Sequence, residues 1–167
     1  MLRKTLIAGA LVAASLMAGS IPAGASGVIV SRGQLRDLVP TAANATDGAD
    51  ASVIAYNGGD RTLVILIVRD MDRNAAGTTF GAHVHVGPCV AGNGAAAGPH
   101  YNSGGPASPQ TEVWLDFTVT RGGSGVAKAV VPFVIPPGAA ASVVIHAMPT
   151  DPMGAAGARQ ACLPVDF

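Results

Sequence analysis

Ser52-Val53-Ile54-Ala55-Tyr56-Asn57-Gly58-Gly59-Asp60-Arg61-Thr62-Leu63-Val64-Ile65-Leu66-Ile67-Val68-Arg69 is the stretch that decides the fold class. Two runs rich in β-branched residues flank Asn57-Gly58-Gly59-Asp60, a turn whose residues tolerate the backbone angles of a tight hairpin. Ser52–Tyr56 and Thr62–Arg69 therefore read as antiparallel neighbours. The apolar run Leu63 to Val68 is continuous rather than alternating, which predicts a well-covered strand.

The same texture extends outward. Val28–Val30 is a short β-rich segment, Gly33–Asp50 a polar loop or loose hairpin, and Asp70–Gly77 a charged turn. From Glu112 to Thr120 the chain alternates, with Val113, Leu115, Phe117 and Val119 facing one way and Glu112, Trp114, Asp116 and Thr118 the other. Arg121–Gly125 makes a turn and Val126–Val134 a further strand, stopped by Pro136-Pro137-Gly138. Ser142–His146 and Arg159–Val165 are the last two strands, joined by the small-residue loop Ala147–Ala158. Glycine (22) and proline (12) punctuate a chain with only 4% aromatics and no leucine-rich helical period. The expectation is an all-β domain of about eight short strands with two long loops, a β-sandwich or flattened Greek-key barrel. No internal repeat is visible.

The N-terminus reads as an export signal. Arg3 and Lys4 precede an apolar run from Leu6 to Ala18 that is short for a membrane span, and Ala23-Gly24-Ala25 offers a small-x-small cleavage site. Residues 1–25 are thus expected to leave and 26–167 to form one domain, secreted or held in the periplasm or cell envelope; an uncleaved anchor is the alternative. Ser20 stands where a lipoprotein signal would need cysteine, so no lipid anchor is expected. Formal charge is zero and no basic patch interleaves with aromatics, which argues against nucleic acid as a partner. Cys89 and Cys162 are an even pair in an oxidising compartment and read as a disulfide; the alternative is that Cys89 ligates a metal.

Chemistry concentrates in Gly81-Ala82-His83-Val84-His85-Val86-Gly87-Pro88-Cys89 and in Gly98-Pro99-His100-Tyr101-Asn102. These hold three of the four histidines, and His146 ends a strand elsewhere. On a strand, residues two apart share a face, so His83 and His85 present both imidazoles to one side. An all-imidazole site suits copper(II), and zinc also binds imidazole. His100 lies in Gly87–Pro109, a long unpatterned loop of the kind that usually has a function.

Taken together, Gly81–Cys89, Ala97–Asn102, Val143-Val144-Ile145-His146 and Gly157-Ala158-Arg159-Gln160-Ala161-Cys162 resemble the copper/zinc superoxide dismutases in order and spacing, over most of the mature chain. That resemblance implies an eight-stranded Greek-key sandwich that dismutes superoxide to dioxygen and hydrogen peroxide. His83, His85, His100 and His146 would be the copper ligands, Cys89 and Cys162 the disulfide, and Arg159 the cation that guides the anion. His100 matches the histidine that bridges copper and zinc in the family.

The departures concern zinc. No other histidine lies between His100 and the strand beginning at Glu112. Aligned on Gly125-Val126-Ala127, Glu112 falls where the family has a zinc histidine and Leu115 near its zinc aspartate, while Asp116 is one position off and expected on the opposite face. The expected member is copper-only. With no zinc to fix the far nitrogen of His100, another acceptor has to do so, and Asp151, the only ionic residue of the loop Ala147–Ala158, is the candidate. Trp114 is read as surface or interface packing and Tyr101 as packing. Met148 and Met153 are gap-fillers or a cuprous exit site. The rival reading is an exported copper-sequestering or copper-delivery protein. Neither reading fixes whether the chain is a monomer or a homodimer.

Overall fold

The computed structural model describes residues 27–167; the expected signal peptide lies outside them. The founding hairpin forms as expected. β3 (Asp50–Gly58) pairs antiparallel with β4 (Arg61–Arg69) in unbroken register from Asp50↔Arg69 to Gly58↔Arg61, and Gly59 turns the corner at φ +63°. That left-handed angle costs a residue with a Cβ about 1 kcal/mol or more and costs glycine nothing.

Two four-stranded antiparallel sheets build the sandwich. One has the order β1 (Gly27–Gln34), β3, β4, β8 (Gly125–Val131). The other has the order β2 (Arg36–Asp37), β10 (Arg159–Pro164), β9 (Ser142–His146), β6 (Ala82–His85). A two-stranded ribbon, β5 (Thr79–Phe80) with β7 (Phe117–Thr118), brings Phe80 and Phe117 together at 5.9 Å between ring centroids. Among the described residues the helical content is two short 3₁₀ turns, Arg73–Ala75 and Gly94–Ala97. The all-β expectation is met, with ten strand segments among the described residues where about eight were expected.

Alternation sets the core. Val53, Val64 and Leu66 point inward from the first sheet against Ala82, Val84, Val143, Ile145 and Leu163 from the second, and all are essentially inaccessible to solvent. Each such aliphatic side chain contributes about 1.5–3 kcal/mol by leaving water. Val113, Leu115, Phe117 and Val119 close one end, as their spacing predicts. Only Phe117–Thr118 of that segment joins a ladder, because the chain before it lies along β6 through single bridges. Gly33–Asp50, read as a loop or loose hairpin, contributes β2, which pairs with β10. Leu63, Ile65 and Ile67 correct another expectation. They stay partly exposed on the outer face of β4, so the apolar run is covered on one side only.

The second sheet turns its outer face toward the long loops, and here Cys89 and Cys162 are joined as a disulfide among Leu38, Ala97 and Val144. Both sulfurs are engaged, which removes Cys89 as a metal ligand. The bridge closes a sequence separation of 73 residues and pins the His100 loop to β10. Replacing both cysteines by alanine should lower the unfolding free energy by about 4 kcal/mol, the loop-closure entropy for this span, as measured by chemical denaturation.

Candidate metal centre

Ala82 and Val84 of β6 anchor the inner core, so His83 and His85 project outward, paired across β9 as His83↔Val144 and His85↔Ser142. The long loop returns along the free edge of β6. The Tyr101 N–H donates to the Val84 carbonyl at 2.8 Å, and Val86 N–H to Pro99 at 3.2 Å, which places His100 opposite His85. His146 closes the set from the end of β9. Gly81 and Gly87 flank this strand because the covering loops touch its backbone. A Cβ on Gly81 would lie 2.6 Å from the Ala156 methyl, and one on Gly87 2.2 Å from the Ala96 carbonyl oxygen. The four imidazoles each offer one nitrogen, all within 4.8 Å of one another. His83 and His85 are fully buried and His146 nearly so.

Hydrogen bonding fixes which nitrogen each ring presents. His85 Nδ1 meets the Gly98 carbonyl at 3.1 Å and His146 Nδ1 the Gly157 carbonyl at 3.2 Å. A carbonyl only accepts, so both Nδ1 atoms carry the proton and both Nε2 atoms carry a lone pair. His100 Nδ1 lies 2.9 Å from Glu112 Oε2, which leaves its Nε2 free in the same way. His83 is held from its other side, with Nε2 2.8 Å from Thr150 Oγ1. The Thr150 hydroxyl donates to Asp116, whose second oxygen accepts the Thr150 N–H, so Oγ1 has only lone pairs left for His83 Nε2–H. His83 Nδ1 is then unprotonated, and it is a buried nitrogen without a partner. Four lone pairs converge, and two of them, on His85 and His146, are 3.3 Å apart with no proton between them. Such a concentration of acceptors is unfavourable unless a cation sits among them.

Electrostatics keeps three of the rings unprotonated. Burial, with help from the neighbouring imidazoles, lowers His83 from 6.5 to about 2. Burial likewise lowers His85 to about 3, against the raising effect of the Gly98 carbonyl, and His146 to about 4, against that of Gly157. Glu112 is also buried. Desolvation alone would raise its pKa, but hydrogen bonds from Trp114 (2.9 Å), His100 and Asn102 (3.1 Å) outweigh this and hold it below the ordinary range, as a carboxylate.

The structure gathers His83, His85, His100 and His146 as expected and places Arg159 beside them. The Arg159 guanidinium donates to the carbonyls of Gly94 and Gly98, both at 2.6 Å; Gly98 is the residue that also holds His85. Asp151 does not serve His100: it is exposed and accepts the backbone N–H groups of Met153 and Ala155, shaping its own loop. Glu112 takes that role because its strand runs along β6 and its side chain faces the histidines.

Trp114, read as surface packing, stands edge-on to His83 with ring centroids 6.2 Å apart. Asp116 does lie on the face opposite the buried Leu115, but that face is the one carrying the site. The alternation of Glu112, Trp114 and Asp116 was the available signal. Thr150 left none, being one hydroxyl in a featureless loop. Tyr101 packs against Phe133 at 5.9 Å, while Met148 and Met153 are both exposed. No known family model matches this chain, and no curated protein does.

The lowered histidine pKa values make the metal-free fold acid-sensitive. Below about 6.5 the unfolded chain takes up protons that the folded cluster refuses, so stability falls as pH drops from about 6.5 toward 4. Each histidine contributes up to about 1.4 kcal/mol per pH unit, and the three together up to about 4. Denaturant titrations of the metal-free protein across this range check the slope, and above pH 7 it should vanish. Glu112→Gln should weaken binding of a metal ion at the four histidines about 10- to 100-fold in a competition titration, since it loosens His100.

Proposed function

We propose that this chain is a copper-only member of the copper/zinc superoxide dismutase family that dismutes superoxide outside the cytoplasm. The observation that carries this reading is the convergence of four tautomer-fixed imidazole lone pairs, one of them the orphaned Nδ1 of His83, in a buried cleft. Neutral imidazoles suit copper in both of its common oxidation states. Bound there through His83 Nδ1 and the Nε2 atoms of His85, His100 and His146, copper would supply the one-electron exchange by which two superoxide anions and two protons become dioxygen and hydrogen peroxide.

The protein's own groups would do the rest. Arg159 keeps its charge at any physiological pH and, held by two backbone carbonyls, presents a fixed cation to a small anion entering beside His85. Glu112 fixes the Nδ1–H of His100 and so turns its Nε2 toward the other three rings. A bridging histidine would turn Nδ1 toward zinc. In this chain that atom is bound to a carboxylate already committed to Trp114 and Asn102, which supports the copper-only reading. The disulfide agrees with an oxidising compartment.

Purified protein loaded with one equivalent of copper should dismute superoxide faster than an equal concentration of a copper–histidine complex. His146→Ala should abolish this, and Arg159→Gln should lower the rate about tenfold at low ionic strength while flattening its salt dependence. Activity no greater than that of the free complex would instead establish the copper-sequestering reading. Stoichiometric zinc beside the copper would contradict the copper-only assignment.

A further inference from the structure

The outer face of the first sheet is at odds with an antiparallel sheet bathed in water, which should alternate apolar residues inward and polar residues outward. Its two central strands turn Ile54, Tyr56, Leu63, Ile65 and Ile67 outward, and the register sets Val28 and Val30 of β1 and Val126 and Val130 of β8 beside them. Val28, Val30, Tyr56, Val126 and Val130 are each about half exposed or more, from 47% for Tyr56 to 65% for Val28. Four strands about 4.8 Å apart and seven residues rising about 3.4 Å each span roughly 450 Å². Exposed apolar patches of that order, rimmed by polar residues, mark contacts with proteins or membranes. The face lies across the core from the histidines, so the metal centre does not account for it.

We propose that this face docks the protein on an anionic phospholipid surface, its apolar centre at the edge of the acyl chains and its charged fringe among the phosphates. Charge complementarity selects this occupant. The chain has ten lysines and arginines, two of them in the leader, and as many acids. Four of the other eight cations stand on outward positions of this one sheet, one on each side of the apolar centre. Arg32 lies on the β1 edge, Lys128 on the β8 edge, Arg61 at the hairpin end of β4 and Arg69 at its far end, and all four are exposed. Asp50 is the single acid on those outward strand positions, and Asp60, in the turn, is tied to Arg61 at 3.2 Å. The face is therefore basic on a chain whose described residues hold more acids than bases.

Attachment of this kind grows with the apolar area buried at the headgroup boundary and with attraction to anionic lipid. Each lysine or arginine near such a surface strengthens it about fivefold. The long stems of the four cations cover apolar surface while their heads reach the phosphates. Tyr56 suits the same boundary, where aromatic rings with a polar tip collect. Its ring lies over Gly58, where a Cβ would come 2.3 Å from Tyr56 Cε1, so glycine lets the phenol extend along the strand toward the row that holds Arg61. A peptide would dock along a sheet edge or in a groove, and this surface is the broad side of a sheet. At this face a second copy would set four cations against four. Docked on lipid, the protein turns its histidine cluster, on the far side of the core, toward water.

Cosedimentation of the purified protein with phospholipid vesicles tests this, and no readout depends on dismutation. The protein should bind phosphatidylcholine vesicles containing about one-third phosphatidylglycerol, bind pure phosphatidylcholine at least about tenfold less, and come off as salt is raised. Ile65→Glu should abolish binding with the metal stoichiometry of the four histidines unchanged. Val126→Glu, at an exposed edge position, should do the same should the central variant fold poorly. Lys128→Gln should weaken binding about fivefold. No binding to the anionic vesicles, equal binding to the neutral ones, or binding indifferent to these variants overturns the proposal. So does binding that soluble polyphosphate competes away and Ile65→Glu leaves intact, which would assign the cations to a polyanion in solution. A mass that rises with concentration and is held at one chain by Val126→Glu would assign the face to a second copy and overturn it too.

Discussion

The centre of this protein depends on one constraint, that each of four clustered imidazoles, three of them buried, has its outer nitrogen committed to an acceptor. Carbonyls of Gly98 and Gly157, the Glu112 carboxylate and a threonine oxygen polarised by Asp116 each take one N–H. What is left is four lone pairs facing one another, and burial keeps those of His83, His85 and His146 from being relieved by protonation. A neutral core would not tolerate this, since unpaired buried acceptors cost about 1–3 kcal/mol each. The arrangement is stable in proportion to how well a soft, imidazole-loving cation fills it. The surrounding fold serves this geometry: β6 and β9 supply three rings, the disulfide-pinned loop supplies the fourth, and two flanking glycines let the loops come close enough.

Glu112 and Asp116 bring negative charge to the histidine cluster without entering it. Glu112 is two residues from Trp114 and four from Asp116, all on one face of an extended segment whose other face is core. One carboxylate acts directly on His100, the other through Thr150 on His83. The two rings that need a side chain rather than a backbone carbonyl to fix their tautomer are therefore the two served by this segment. Arg159 is tied to the same frame through the Gly98 carbonyl it shares with His85. The position of the cation and the orientation of a ligand ring are thus set by one peptide group.

Much of this was legible in the residues themselves. Period-two spacing put His83 and His85 on one face, the hairpin around Gly59 founded the first sheet, and the alternation from Val113 to Val119 described a core edge. Two kinds of feature were not legible. Tertiary hydrogen bonds between distant loops carry no local signature, so Thr150 was invisible and Asp151, the only ionic residue of its loop, was the acid that stood out. Faces outside the core were also misread. The continuous run Leu63–Val68 encodes a strand apolar on both sides, and a sequence cannot distinguish cover by its own fold from a surface left for another molecule. The same ambiguity sent Trp114 to the surface, when the face opposite the core was the one beneath the functional loop.

The most direct test of the account is the electron paramagnetic resonance spectrum of the protein titrated with copper(II). One equivalent should give a single tetragonal species with nitrogen hyperfine structure from directly bound imidazoles, replaced by a different spectrum in His83→Ala. Several overlapping oxygen-ligated species, or a spectrum unchanged by loss of His83, would contradict a preformed four-histidine centre.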